Sequence, residues 1–463
     1  MMRLSEIALA TKGQVIGADV EINSVGTDSR AIQHGQLFVA LKGENFDGHD
    51  YAAQSLAQGA AAVMVSNQVA DSAVVVPAVL VKDTRLALGD LSAHWRHKFS
   101  MPVVAITGSN GKTTVKEMLA AILKNAAGAD EKVLATQGNL NNDIGLPLTM
   151  LKLNQQHEYA VLEMGMNHLG EIRYLTKLAE PNVALVNNAG SAHIGELGSY
   201  QAIAEAKGEI FEGLAKDGIA IINADDVFAD LWKKLASKNT QMTFGLNAKA
   251  DVSACYQLNA SNSNIEMSSP LGNVSFDLPV PGEHNVRNAL AAATAALALN
   301  VPLSKIAEGL SNFAGVKGRL QTKSGFAGAK VIDDTYNANP LSMKAAVDVL
   351  AGHQGKRIFV MGDMAELGDD AAQMHAEIGA YAKAASIEAF YAVGKLTPEA
   401  SKAFGPAAKH FDSVEALADA VKSEMNSNVT VLVKGSRSAR MERVVDSIQT
   451  TENQVEENKR EKH

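Results

Sequence analysis

The sequence predicts an α/β protein of three domains: a small N-terminal α/β domain, a central mostly parallel sheet that carries a phosphate loop, and a C-terminal doubly wound sheet. Three observations predict it. Short β-branched runs alternate with helical segments along most of the chain, the pattern of parallel sheets covered by crossover helices. A glycine loop, TGSNGKTT at residues 107–114, stands between one such run and one such helix. Finally, 463 residues exceed what one core organises. The boundaries are expected at 1–99, 100–313 and 314–463.

In the first part, 35–41, 61–65 and 79–81 read as strands, with 52–59 and 84–94 as helices. Between them lie two polar stretches, TDSR (27–30) and KGENFDGH (42–49). On composition alone these are solvated loops as readily as binding loops.

The glycine loop follows the apolar run at 101–106 and opens a helix at about 115. Such a loop aims successive amides at a polyphosphate, here from Gly108, Ser109, Asn110, Gly111 and Thr114, and the positive end of the helix faces the same anions. Lys112 is placed to reach the β- and γ-phosphates and Thr113 to offer its hydroxyl to Mg²⁺. The first glycine of the general GxxxxGK[ST] pattern is replaced by Ile106.

Strands at 133–135, 160–163, 184–186 and 219–222 complete the central sheet, and ligands of such sheets collect at the carboxyl ends of the strands. Glu163 and the segment 187–193 fall there. Glu163 suits Mg²⁺, which prefers oxygen ligands. It replaces the aspartate usual in ordinary nucleotide-hydrolysing motors, and no NKxD guanine motif is present. His193 reads from position alone as a polar surface residue. Residues 288–299 form an alanine-rich helix, opened by EHNVRN, in which Asn285 and Asn288 share a face. Asn285 is also a good N-cap.

The last part repeats the alternation, with strands at 330–333, 357–360, 389–393 and 430–433 and helices at 340–350, 371–384 and 413–423. Arg319 stands where the second and third alternations meet. It can stabilise charge on a transferred phosphoryl group or serve as a hinge salt bridge. Asp334 ends a strand before a helix, where an N-cap or Asx-turn also explains it.

Composition narrows the class further. A net charge of −9 with Lys and Arg spread along the chain argues against nucleic acid. The single Cys255 excludes an intrachain disulfide and agrees with a reducing, cytoplasmic setting. No signal peptide or anchor is read at residues 1–10, and the apolar run at 289–299 is too short to span a bilayer. The charged residues 451–463 read as a frayed tail.

TGSNGKTT, AVLEMG at Glu163, NNAGSAHIG at His193, EAKGEIF at Lys207, EHNVRNALAA, GRLQ at Arg319 and DDTYNANP at Asp334 occur in this order. The chain thereby resembles the Mur ligase family over essentially its whole length. TDSR with LFVALKGENFDGHDY, TQGNLNNDIGLPLT (136–149) and VMGDMAELG (360–368) resemble the members that add D-alanyl-D-alanine to UDP-N-acetylmuramoyl tripeptide. The DNPR stretch of the diaminopimelate-adding members is absent.

The resemblance implies a UDP-sugar-binding first domain, a central ATPase domain and a Rossmann-like third domain. It implies ATP-dependent amide-bond formation through an acyl phosphate, with ATP and two Mg²⁺ ions as cofactors. By the same resemblance, Lys112, Glu163, His193, Lys207 and Arg319 carry catalysis, and Thr113, Glu163, His193 and a carbamylated Lys207 hold metal. Asn285, Asn288, Arg319 and Asp334 join the loop in binding nucleotide. Ser29, Lys42 and Asn45 would contact the uridine end of the substrate, and Asn139, Asn142 and Asn167 its peptide. The segment 434–437 is a candidate contact for the dipeptide carboxylate. A monomer is expected. The competing readings are another amino-acid-adding ligase of this family and a non-catalytic nucleotide-binding module.

Overall fold

A computed structural model describes residues 1–66, 76–190 and 197–450. His193 and the tail read at 451–463 lie outside them.

The central sheet has six parallel strands in the order Thr240–Phe244, Ile219–Asn223, Val183–Val186, Val103–Thr107, Tyr159–Glu163, Val133–Ala135. Its inner strands are apolar except at their ends because both faces are covered. Alternate residues divide between two cores. Val104, Ile106, Val161 and Leu185 pack with helices Lys112–Ala127 and Glu283–Ala298, while Val103, Ala105, Leu162 and Val186 face helix Glu171–Ala179 and its neighbours. Ile106 is therefore core, inside the strand and fully buried. The position at which the general phosphate-loop pattern has glycine belongs here to the sheet.

Helix Glu283–Ala298 begins five residues before the expected 288. Its cap is Gly282, so Asn285 lies in the first turn and is not the N-cap. Residues 289–293 and 295–296 are buried against Val115, Met118 and Leu119 of helix Lys112–Ala127. Alanine's small side chain lets the two helices approach closely.

One element was not legible in the sequence. Ser253–Leu258, Ser263–Ser269 and Gly272–Leu278 form a separate three-stranded antiparallel sheet. Only Ser263, Ile265 and Met267 of its middle strand turn inward, in strict alternation with exposed residues. A half-solvated strand of this kind carries no continuous apolar run.

The C-terminal sheet runs Gln321–Ser324, Lys330–Asp334, Val429–Lys434, Lys356–Gly362, Ala389–Val393, Ala408–Phe411, parallel except for its first strand. The N-terminal sheet has five strands, Gln14–Ile16, Ala78–Val81, Ala62–Ser66, Gln36–Val39 and Ser24–Gly26, again with one antiparallel edge. Helix Thr84–Arg96 leads out of this domain, capped by the Asp83 carboxylate, which accepts the amides of Arg85 and Leu86. No described helix is long and apolar enough to cross a membrane.

Candidate active site

The phosphate loop leaves strand Val103–Thr107 and enters helix Lys112–Ala127, whose first-turn amides have no intrahelical carbonyl to bond. Asparagines hold its shape. Asn110 N donates to Asn188 Oδ1 at 2.8 Å, and the Asn110 carbonyl accepts from Asn187 Nδ2 and Asn188 Nδ2 at 2.9 and 3.0 Å. Asn187 Nδ2 also reaches Asn288 Oδ1 at 3.0 Å, and Asn285 Nδ2 donates to the Pro281 carbonyl at 2.8 Å. Asn285 and Asn288 thus stand under the loop from the neighbouring helix. Ser109 closes the turn against Gly190, whose amide donates to its hydroxyl at 2.8 Å.

Gly111 shows why the loop needs glycine. Its φ is 78°, and a β-carbon there would stand 2.4 Å from Asn288 Oδ1 and 2.6 Å from Asn187 Nδ2. Gly111→Ala is expected to destabilise the fold by about 1–3 kcal/mol and to remove ATP binding. Denaturant unfolding and ATP titration check it, and a variant that binds ATP normally would refute the cradle.

Lys112 Nζ donates to the Gly108 carbonyl at 2.8 Å. Burial lowers its pKa and Arg319 lowers it further, while Glu163 and Glu366 act in the opposite direction. Glu163, at the end of its strand, is 2 % exposed. Asn141 Nδ2 donates to its Oε1 at 2.8 Å, and its Oε2 is buried with no hydrogen-bond partner. An unpaired buried carboxylate oxygen is costly unless something positive meets it. Lys207, near the end of helix Tyr200–Gly208, is also 2 % exposed. Burial, and then the Lys112 charge, hold its amine far below the usual lysine pKa.

The C-terminal domain reaches the loop twice. Arg319 Nη2 donates to Thr113 Oγ1 at 3.1 Å, with its guanidinium 4.3 Å from the centre of the Tyr336 ring, and Asn339 Nδ2 donates to Asn110 Oδ1 at 2.7 Å. Arg319 is therefore no hinge salt bridge. Among the described residues it pairs with no carboxylate, and its Nε is buried without a partner. Asp334 is not a helix cap. Asn339 caps helix Pro340–Ala351, while Asp334 accepts from Leu320 N at 3.2 Å and pairs with Lys434 Nζ at 2.6 Å. Burial raises the Asp334 pKa against the pull of Lys434 and Arg319. Lys434 is committed to this buried pair and to the Asn337 carbonyl, which argues against its reading as a dipeptide contact. Ser436 and Arg437 instead line an open cavity of about 480 Å³ with Asn337, Ala365, Glu366 and Arg440.

The side chains expected to touch the nucleotide sugar and peptide make no hydrogen bond to this cluster, although Asn139 and Asn142 flank Asn141, which bonds to Glu163. Lys42 and Asn45 are exposed and Ser29 half-buried on N-terminal loops. Asn139 and Asn167 are exposed near the ends of central strands. Asn142 is exposed too, with its Oδ1 accepting the Gly145 amide at 2.8 Å. None of the six side chains bonds to the phosphate loop. Sequence reasoning pointed to the segment 187–193 without giving Asn187 and Asn188 a role, and passed over Asn141, Tyr336 and Asn339. The doubled asparagine directly after a buried strand was the one local signal available.

A phosphate loop clamped by an arginine from a second α/β domain, with a buried acid and a buried amine beside it, defines an ATP-using ligase architecture, and the chain belongs to the Mur ligase family. Family models match at residues 21–96 (Mur ligase family, catalytic domain), 106–296 (Mur ligase middle domain) and 318–437 (Mur ligase, glutamate ligase domain). Among individual proteins it is 44 % identical to UDP-N-acetylmuramoyl-tripeptide–D-alanyl-D-alanine ligase of Escherichia coli K12, over 96 % of this chain and 98 % of the relative. The crystal structure of MurF from Acinetobacter baumannii superposes with a TM-score of 0.88 at 38 % identity, covering 96 % of this chain and 97 % of the other. MurF of Thermotoga maritima in complex with ADP gives 0.81 at 29 %, covering 92 % and 96 %.

Proposed function

We propose that this chain is a cytoplasmic, monomeric ATP-dependent ligase that joins D-alanyl-D-alanine to UDP-N-acetylmuramoyl tripeptide in peptidoglycan precursor synthesis. Its domains, 1–99, 100–313 and 314–463, bind the nucleotide sugar, hold ATP and close over the nucleotide. The observation that carries the reading is the composite cluster. Glu163 with its unpaired Oε2, the buried Lys207 amine with its depressed pKa, and Arg319 gather around one phosphate loop, in a chain matched over 96 % of its length by a ligase of this name.

The chemistry is two displacements. A peptide carboxylate oxygen attacks the γ-phosphorus and ADP departs, leaving an acyl phosphate. The neutral amine of the dipeptide then attacks the acyl carbon, and inorganic phosphate leaves the tetrahedral intermediate as the amine sheds its proton. No enzyme nucleophile is required, so the protein's work is positioning and charge stabilisation. The loop amides and Lys112 hold the β- and γ-phosphates, and Arg319 meets the charge on the transferred group.

Mg²⁺ fits the donors present. It takes one or two carboxylates together with substrate phosphates, and Glu163 Oε2 is buried, unpaired and next to the loop. No cluster of three or more His, Cys, Asp or Glu is found among the described residues. Thr113, Glu163 and a carbamylated Lys207 would hold two ions, with His193 on the second, and the ions would neutralise phosphate charge. Lys207 is suited to carbamylation because an unprotonated amine adds CO₂ and releases a proton. The resulting carboxylate would face Lys112, where the ammonium is repelled. The 480 Å³ cavity would present Arg440, together with Arg437, whose Nη1 pairs with Glu442 of the same wall at 3.2 Å, to a dipeptide carboxylate and Glu366 to its ammonium. Glu366 acts electrostatically on Lys112, which supports reading the cavity as part of the same site.

Incubation with ATP, Mg²⁺, UDP-muramoyl tripeptide and each candidate amine tests the assignment. Phosphate release with D-alanyl-D-alanine is expected, and release with diaminopimelate alone would overturn it. ATP binding without turnover would instead support a nucleotide-sensing module. Arg319→Lys is expected to lower kcat about a hundredfold, because an ammonium cannot both stack on Tyr336 and reach the phosphoryl oxygens. Unchanged kcat would remove Arg319 from the reacting centre.

A further inference from the structure

Strand Lys356–Gly362 runs into a segment, residues 363–368, that supplies Ala365 and Glu366 to the cavity wall. A chain that has left its sheet has no ladder to hold it. Here it also bends through left-handed backbone, φ 61° at Glu366 and 66° at Gly368, which a β-carbon at Glu366 disfavours unless the surroundings enforce it. Three fastenings enforce it. The Asp363 carboxylate accepts the amides of Lys395, Leu396 and Thr397 at 2.8, 3.0 and 3.1 Å. The Asp363 carbonyl accepts the Ser436 amide at 2.8 Å. The third is His375.

His375 is fully buried on helix Ala371–Ala384. Its Nδ1 lies 2.7 Å from the Ala371 carbonyl oxygen, and its Nε2 lies 3.0 Å from the Met364 amide nitrogen. A carbonyl only accepts and an amide only donates, so the ring must carry its proton on Nδ1 and none on Nε2. An imidazolium would set N–H against N–H. The ring is thus a neutral strut between helix and segment, two residues from Glu366, and neither displacement described above uses it.

We propose that His375 is a positioning residue for the amine substrate: by holding the Met364 amide it fixes the backbone that presents Glu366 to the cavity, and so sets affinity for the incoming amine. The inference rests on the assignment of that cavity to the dipeptide. It separates from a merely structural role because a histidine serving only the fold would, when lost, affect all three substrates alike.

The test compares His375→Leu and His375→Gln in the full chain. Leucine keeps bulk and offers no acceptor, whereas glutamine carries an amide oxygen with about the reach of Nε2. The leucine variant is expected to raise KM for D-alanyl-D-alanine about tenfold, the worth of one buried hydrogen bond. KM for ATP and for the nucleotide tripeptide should stay within about twofold, and kcat should change little. Glutamine should recover most of the loss. A parallel rise in all three KM values, no rise in the leucine variant, or glutamine no better than leucine would each overturn the proposal. If the leucine variant does not fold, His375→Asn, whose shorter amide cannot reach the Met364 nitrogen, takes its place in the same comparison of KM values. Failure of the ligase assignment shows separately, as wild-type protein that releases no phosphate with the dipeptide. The comparison then runs with whichever amine it accepts.

Discussion

Lys112→Ala is expected to cut ATP-dependent phosphate release about a thousandfold or more while leaving the melting temperature unchanged or slightly raised. The two halves of this expectation have one cause. Without nucleotide, Lys112 stands buried near the Arg319 guanidinium, and burial first, then that charge, depress its pKa. A lysine whose folded pKa lies below its unfolded value binds fewer protons folded than unfolded. Between those two pKa values stability therefore rises with pH, and at neutral pH the group weighs against the fold. Removing it relieves that strain. With ATP bound, the same charge lies against phosphate oxygens, and nothing else described in the loop replaces it. Trapping of the acyl phosphate together with thermal unfolding checks both halves. Near-normal turnover in a folded Lys112→Ala protein would refute the phosphate-loop role.

The parts of this site that were legible in the sequence are those whose chemistry is local. TGSNGKTT announces itself because strand, glycine turn, lysine and helix are contiguous, and apolar runs such as Val103–Thr107 and Val429–Lys434 mark strands buried on both faces. What could not be read is contact made at long range or by common residues. Arg319 meets Thr113 across 206 positions, and Asn339 meets Asn110 across 229. Asn141 and Asn188 look like any loop asparagine until Glu163 and Asn110 are seen beside them. The antiparallel sheet was missed for the complementary reason, since Ile265 and Met267 bury one face and the other remains polar. Lys434 shows the converse: a conspicuous basic residue at a strand end pairs with Asp334 in the interior.

Replacing Lys207 gives the second large effect and separates its two states. Lys207→Ala should lose nearly all activity, and short carboxylic acids should restore part of it, because an acid can enter the space of the missing side chain and present the oxygens that a carbamate would. Lys207→Met should be equally inactive but, in CO₂-free buffer, more stable than wild type, because methionine fills the site without the cost of burying an amine whose pKa the fold depresses. The pH dependence has a definite sign. Burial and Lys112 lower the folded pKa of Lys207, so between that value and an unfolded value of about 10.4 the unfolded wild-type chain holds the extra proton and wild-type stability rises with pH. Methionine does not titrate, so its advantage should shrink as pH climbs toward 10.4. Bicarbonate should narrow the gap at neutral pH by converting the amine beside Lys112 into an anionic carbamate, and it should leave the methionine variant unaffected. Mass measurement of active protein, showing one added CO₂ on the peptide that contains Lys207, would join stability to catalysis. Fully active protein with an unmodified Lys207, or bicarbonate acting equally on both proteins, would remove the carbamate from the mechanism and leave Glu163 as the only described carboxylate at the metal site.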